Sequence, residues 1–171
     1  AASTLASEQY GLSLLWEREQ PLEEFIAEIL RHIDGTLYVH PRTGRFVLKL
    51  ARADYSLGGL LVLDPSNVIE LESFSRPSEA ELVNQVTVRY RDRGTDKEAA
   101  ITVHDLAALE LAGGVVSSDT VDYPGISNGA LASRVALGDL QQLSVPLAKL
   151  TLIANRQASR LNIGEVFKFT W

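Results

Sequence analysis

The sequence predicts an α+β fold, and three observations carry that prediction. Residues 22–33 repeat apolar side chains at three- and four-residue spacing, the period of a helix buried on one side. Residues 46–50 and 86–91 alternate apolar and polar, the period of a strand. Between such stretches lie Pro, Gly, Asn and Asp clusters that punctuate short elements. With 171 residues, 46% of them hydrophobic and 22% charged, the chain can bury one large core or two smaller ones.

Taken in order, Leu12 to Trp16 is a short apolar run, either a strand or a buried lead-in. Pro21 opens the first helix, whose stripe is Leu22, Phe25, Ile26, Ile29, Leu30 and Ile33. Proline suits a first turn because its missing N–H has no partner there, and Glu23 and Glu24 complement the helix dipole. Gly35 is expected to supply a left-handed stop. A hairpin follows, Thr36 to His40 and Arg45 to Ala51, turned by Pro41-Arg42-Thr43-Gly44. Phe46, Leu48 and Leu50 share one face and are expected to pack on the helix stripe, making a helix-plus-hairpin unit.

Leu60 to Leu63 is a further apolar run ended by Asp64-Pro65-Ser66-Asn67, and Val68 to Ser73 resumes strand character. Val86 to Tyr90 reads as a half-exposed strand paired with Ala99 to His104 across the polar loop 92–97. Asp105 to Leu111 is a short helix or turn closed by Gly113-Gly114, and Ser118 to Tyr123 is a brief strand stopped by Pro124-Gly125. A second long helix runs from about Asn128 to Leu143, weakened at Gly138 by about 1 kcal/mol relative to alanine. Two strands finish the chain, Leu147 to Ala154 and Glu165 to Trp171.

Arg76-Pro77-Ser78-Glu79 punctuates the chain, which suggests an N-terminal unit over 1–75 and a β-rich unit with one long helix over 76–171. The chain has no methionine, and its last residues read as the middle of a strand, so both units are expected to be parts of a longer protein. A net charge of −6 argues against general binding to nucleic acid, which needs concentrated Lys and Arg. No apolar run is long enough to span a bilayer, and the N-terminus has no secretory signal pattern. The charge is uneven: residues 1–35 are acidic, whereas Arg42, Arg45, Lys49 and Arg52 follow against Asp54. Either these are two solvated faces, or they form an electrostatically complementary contact between neighbouring elements or neighbouring subunits.

Chemistry is hard to find. There is no cysteine, so disulfides, thiolate metal sites and thiol nucleophiles are excluded. His32, His40 and His104 share no metal-ligand spacing; they read as solvated, with His32 on the outer side of its helix. Ser117, Ser118, Ser127 and Ser144 lack a nucleophile-elbow context, and adjacent His104 and Asp105 point apart in a strand. Glu17, Glu19, Glu23, Glu24 and Glu28 could supply a carboxylate pair, but they read as a solvated helix face rather than a pocket. The loop from Asp92 to Asp96 lacks calcium-ligand spacing, and Gly58-Gly59 and Gly113-Gly114 are too isolated for phosphate loops. Trp16 and Trp171, with Phe167 and Phe169, read as packing residues rather than a sugar platform. The expectation is no enzyme, no catalytic residue, no metal site and no cofactor.

Several segments, taken together, resemble the tail hub or tip-attachment (central tail fibre) proteins of siphophages and the related hubs of contractile tails. They are Pro21 to Leu50 with His40-Pro41-Arg42-Thr43-Gly44 at its turn, and Asp64 to Val68 leading into Phe74-Ser75-Arg76-Pro77-Ser78-Glu79. Leu82-Val83-Asn84-Gln85-Val86-Thr87-Val88-Arg89-Tyr90, Asp122-Tyr123-Pro124-Gly125-Ile126 and Leu161-Asn162-Ile163-Gly164-Glu165-Val166 complete the set. The last departs from the family pattern, which has proline where Ile163 stands. The resemblance implies a structural phage or prophage tail protein with small, partly barrel-like hub domains. The full-length protein would be a homotrimer at the distal end of the tail tube. It would contact distal-tail, tube and tape-measure proteins, bind no nucleic acid specifically and span no membrane. Its place would be the virion tail tip, and the host cytoplasm before assembly. Two other readings are a cell-wall-hydrolysing or carbohydrate-binding tail domain, and a hub-like component of a contractile secretion or injection apparatus.

Overall fold

A computed structural model describes residues 1–16, 21–78 and 82–171. The order of elements is α1 (Ala2–Ser7), α2 (Leu22–Ile33), β1 (Gly35–Val39), β2 (Phe46–Leu50), β3 (Leu61–Leu63), β4 (Val68–Ser75), β5 (Gln85–Asp92) and β6 (Lys97–His104). Then come α3 (Leu106–Leu111), β7 (Ser118–Asp122), α4 (Gly129–Leu143), β8 (Lys149–Ala154) and β9 (Phe167–Phe169). Helices and strands are both well represented, so the fold is α+β; no closed sheet forms among the described residues, and the barrel-like expectation gains no support.

The chain forms two compact units. One comprises residues 33–75 and 149–171 with residue 1; the other comprises 2–32 and 76–148. The chain passes between them at His32/Ile33, at Ser75/Arg76, where the sequence shows its punctuation, and at Ala148/Lys149. The stretches 33–75 and 149–171 form one unit because β4 pairs with β8 and β3 with β9, across long sequence separations.

In the unit built from 2–32 and 76–148, β5 is the central strand of a three-stranded sheet, antiparallel to β6 and parallel to β7. Val86 and Val88 on β5 are fully buried against Leu131, Ala132, Val135, Ala136 and Leu140 of α4. Asn128 starts α4 by accepting the Leu131 N–H at 2.9 Å, and Asp105 caps α3 by accepting the Ala108 N–H at 3.0 Å. Buried Asn84 closes the lower edge of this sheet. Its Nδ2 donates to Val115 O at 2.8 Å and its Oδ1 accepts from Ser117 N at 2.9 Å.

The other unit holds three two-stranded sheets: the antiparallel hairpin β1–β2, antiparallel β4–β8 and parallel β3–β9. Leu63 and Val68 are buried around the Asp64–Asn67 turn, where Asn67 Nδ2 donates to Val62 O at 2.8 Å and its Oδ1 accepts from Asp64 N at 2.9 Å. The hairpin turn follows expectation, with Gly44 at φ 64° donating to His40 O at 2.9 Å. The stop after α2 does not. Asp34, at φ 50°, takes the left-handed position, and Gly35 already begins β1. A short polar side chain tolerates that conformation better than most, so aspartate serves where glycine was expected.

Two more expectations change. Leu12 to Trp16 forms neither a strand nor a buried lead-in: it has no regular structure, Leu15 is 77% exposed, and Ser13 N donates to Gly125 O at 2.9 Å. The Phe46 and Leu48 side chains are not packed away. Phe46 is 76% exposed and Leu48 41% exposed, while only Leu50, at the base of the hairpin, is buried.

Candidate assembly surfaces

The polar groups with the best claim to chemistry lie along the last turn of α2. Arg31 makes a two-pronged ion pair with Glu28, Nη2 to Oε1 at 2.6 Å and Nε to Oε2 at 3.1 Å. It also donates from Nη2 to Asp122 O at 2.6 Å, and its guanidinium lies 4.5 Å above the Tyr123 ring. Tyr123 in turn donates its hydroxyl to Asp139 at 2.9 Å. Hydrogen bonding to Glu28 raises the Arg31 pKa from its ordinary value. The Arg31 charge is fixed, so the group carries no proton traffic.

His32 corrects the sequence reading most sharply. Its ring is 1% exposed, not solvated. Nε2 accepts the Gly125 N–H at 3.0 Å, so the proton must sit on Nδ1, which donates to Glu28 O at 2.8 Å. The Tyr123 ring meets it edge-on at 5.0 Å. Burial lowers the His32 pKa from its ordinary value, outweighing the Glu28 carbonyl and carboxylate. Both nitrogens are committed to backbone groups, so the ring acts as a strut between α2 and the loop before α4. The signal was present: His32 follows Ile29 by three and Phe25 by seven, on the apolar stripe itself.

The remaining candidates also resolve into structure. His104 ends β6 exposed, and the Asp105 carboxylate is occupied as the α3 cap. His40 Nδ1 accepts the Arg42 N–H at 3.2 Å and so braces its own turn. Asp92 and Asp96 stabilise the β5–β6 turn through Thr95 and Arg91. Gly58 and Gly59 sit in a short 3₁₀ turn; Gly113 and Gly114 close α3 at φ 65° and 82°. Trp16 stacks on Phe25 at 5.0 Å, and Phe169 on Trp171 at 6.3 Å. Glu17 and Glu19 lie outside the described residues; Glu23 and Glu24 are exposed on the first turn of α2. Ser117 and Ser118 open β7, Ser127 precedes the α4 cap, and Ser144 follows α4, none beside a histidine in sequence.

Among the described residues no three His, Asp or Glu side chains converge on a possible metal position. An open cleft of about 830 Å³ lies in the unit containing the hairpin, with Lys49, Arg52, Arg160, Asp54 and Glu165 at its walls. Glu165 is tied to Asn162, accepting its backbone N–H at 3.0 Å and its Nδ2 at 3.2 Å, which lowers the Glu165 pKa. Asp64 moves the same way, through the Ser66 hydroxyl and N–H. A general acid for sugar or cell-wall chemistry needs the opposite displacement.

What the molecule does offer is surface of an unusual kind. In the β1–β2 hairpin Leu37 faces Leu48 and Val39 faces Phe46 across the strands, making one apolar face. That face is open. The opposite face, with Thr36, Tyr38, Val47 and Lys49, is half-buried, and the loop at Gly164 lies against it near Lys49 and Thr36. The hairpin is therefore turned inside out for an isolated protein: its more polar face is covered and its oily face is bare. Leu106, Leu111, Val115 and Val116, in and just after α3, are also exposed. No helix among the described residues is long and apolar enough to cross a membrane.

A search of curated proteins finds no match to this chain. Among known protein families, residues 22–171 match the one described as "Putative phage tail protein". That match covers most of both compact units and every sheet among the described residues, and the chain belongs to this phage tail protein family.

Proposed function

We propose that this chain is a structural part of the tail hub, at the distal end of the tail tube, and that the full-length protein assembles there as a homotrimer. The family supports a structural role in the virion tail and contact with other tail proteins. The observation that carries the finer reading is the inside-out hairpin, whose apolar face suits a protein completed by its neighbours. Distal-tail, tube and tape-measure proteins are the expected partners. The protein works without catalysis: Asp64 and Glu165 are displaced downward, away from the range of a general acid, and buried His32 is committed at both nitrogens. Gold labelling of the tagged protein in intact particles, read by electron microscopy, tests the position. Label at the distal end supports the hub; label along the tube or at the head-proximal end refutes it. Light scattering on the full-length protein tests the trimer, and a stable dimer would count against it. Release of muropeptides or reducing sugar by the full-length protein would refute the non-catalytic reading.

A further inference from the structure

We propose that the turn end of the hairpin's bare face is the seat for the first turn of α2 of a second copy of this chain, with Arg42 and Arg45 of one copy meeting Glu23 and Glu24 of the next. The inference rests on the tail-assembly reading above and names the surfaces that would join the copies.

Charge selects the occupant. From His40 to Ala53 the chain carries Arg42, Arg45, Lys49 and Arg52 with no acidic residue, in a protein whose net charge is −6. The first turn of α2 presents Glu23 and Glu24, both exposed, beside Leu22, which is 56% exposed. Arg31 takes up Glu28, but Glu23, Glu24, Arg42 and Arg45 form no ion pair among the described residues. A basic turn and an acidic helix start thus remain unspent on the same molecule.

Exposure agrees. At the turn end of the hairpin Phe46 is 76% and Val39 52% exposed. On α2 the stripe is open at its first turn, at Leu22; farther along Phe25 stacks on Trp16 and Ile33 is buried. Exposure grows toward one end of each: from Leu50 to Phe46 on the hairpin, and from Ile33 to Leu22 on the helix. The charged residues sit at those same exposed ends. Laying one on the other brings Phe46 and Val39 to Leu22 and the arginines to the glutamates. Because hairpin and helix are different surfaces, the contact runs head to tail, the kind that closes rings.

Residues 1–171 carry no cysteine, so the test is direct once any cysteine elsewhere in the full-length protein is replaced by serine. The full-length protein carrying Leu22→Cys and Phe46→Cys is prepared with two tags of different size, mixed, and oxidised with copper phenanthroline. Disulfide-linked species containing both tags are expected, whereas the Leu111→Cys and Phe46→Cys pair should give none. Adding R42E and R45E should lower the yield about tenfold, and adding E23R and E24R to that variant should restore it. Far-UV circular dichroism verifies that each variant is folded. Cross-links confined within one chain, no cross-links, or failure of the charge swap to restore them would overturn the proposal. A trimer that forms without this cross-link sinks the proposed seat and leaves the hub reading standing. A full-length protein absent from tails sinks both.

Discussion

Replacing Gly125 with alanine probes the strut that ties α2 to the loop before α4. A Cβ here would come within 2.9 Å of His32 Nε2 and 3.0 Å of Leu14 Cγ, with Leu12 Cδ1 closer still. Leu12 and Leu14 belong to a segment without regular structure and can swing aside, so their share of the cost is small. His32 has nowhere to go, being buried and held at both nitrogens. Displacing it strands a buried ring nitrogen, which costs about 1–3 kcal/mol, and crowding adds a similar amount. The two costs partly replace each other, so the expected loss is about 2–4 kcal/mol. Each compact unit holds one tryptophan, Trp16 or Trp171, so urea unfolding in a Trp171→Phe background reports on the unit containing Gly125. If the strut is real, His32→Ala should itself destabilise, and Gly125→Ala should then cost at least about 1 kcal/mol less in that background. A loss below about 0.5 kcal/mol, or one that is the same with and without His32, would refute the reasoning.

Other outcomes follow from the same coordinates. Gly138 lies inside α4, and an added Cβ meets nothing within 4 Å, so Gly138→Ala should stabilise that unit by about 0.5–1 kcal/mol in the same unfolding assay. The two buried asparagines each satisfy two loop backbone groups; Asn84→Ala and Asn67→Ala should each cost about 1–3 kcal/mol, read from Trp16 and Trp171 respectively. Burial lowers the folded His32 pKa, so below the ordinary imidazole value the unfolded chain binds a proton that the folded chain refuses. Stability of that unit should therefore fall as pH drops below about 6.5 and level off beneath the folded pKa. Ring ¹⁵N shifts should show His32 neutral, with its proton on Nδ1, at pH 6.5; a charged His32 there would contradict the assignment.

Local signals carried much of the fold. The α2 stripe, the β5–β6 alternation and Asn128 before α4 each combine a period with a cap or turn, and those elements form within a few residues of expectation. What escaped depends on distant partners. Nothing in Leu61–Leu63 or Phe167–Phe169 announces that they pair in parallel, because three-residue strands about a hundred residues apart carry no local signal of their partner. The Ala2–Ser7 helix, two short 3₁₀ turns and the left-handed Asp34 were missed for lack of length or of a glycine. The hairpin is the instructive case. Its alternation grouped Phe46, Leu48 and Leu50 on one face, yet periodicity reports which residues share a face and not what covers it. An apolar helix stripe nearby in sequence made an obvious lid; Phe46 and Leu48 remain bare instead.

Thiol labelling at position 46 measures the central claim, that this bare face is built for assembly. Phe46→Cys introduces a thiol into a chain segment that has none, and the modified peptide can be quantified by mass spectrometry. In the isolated chain, labelling should be as fast as at an exposed control such as Leu111→Cys. In assembled tails carrying the same variant, position 46 should be protected at least about tenfold, as expected for a side chain buried in an interface core. Equal labelling rates at position 46 in the free protein and in the tail would contradict the account.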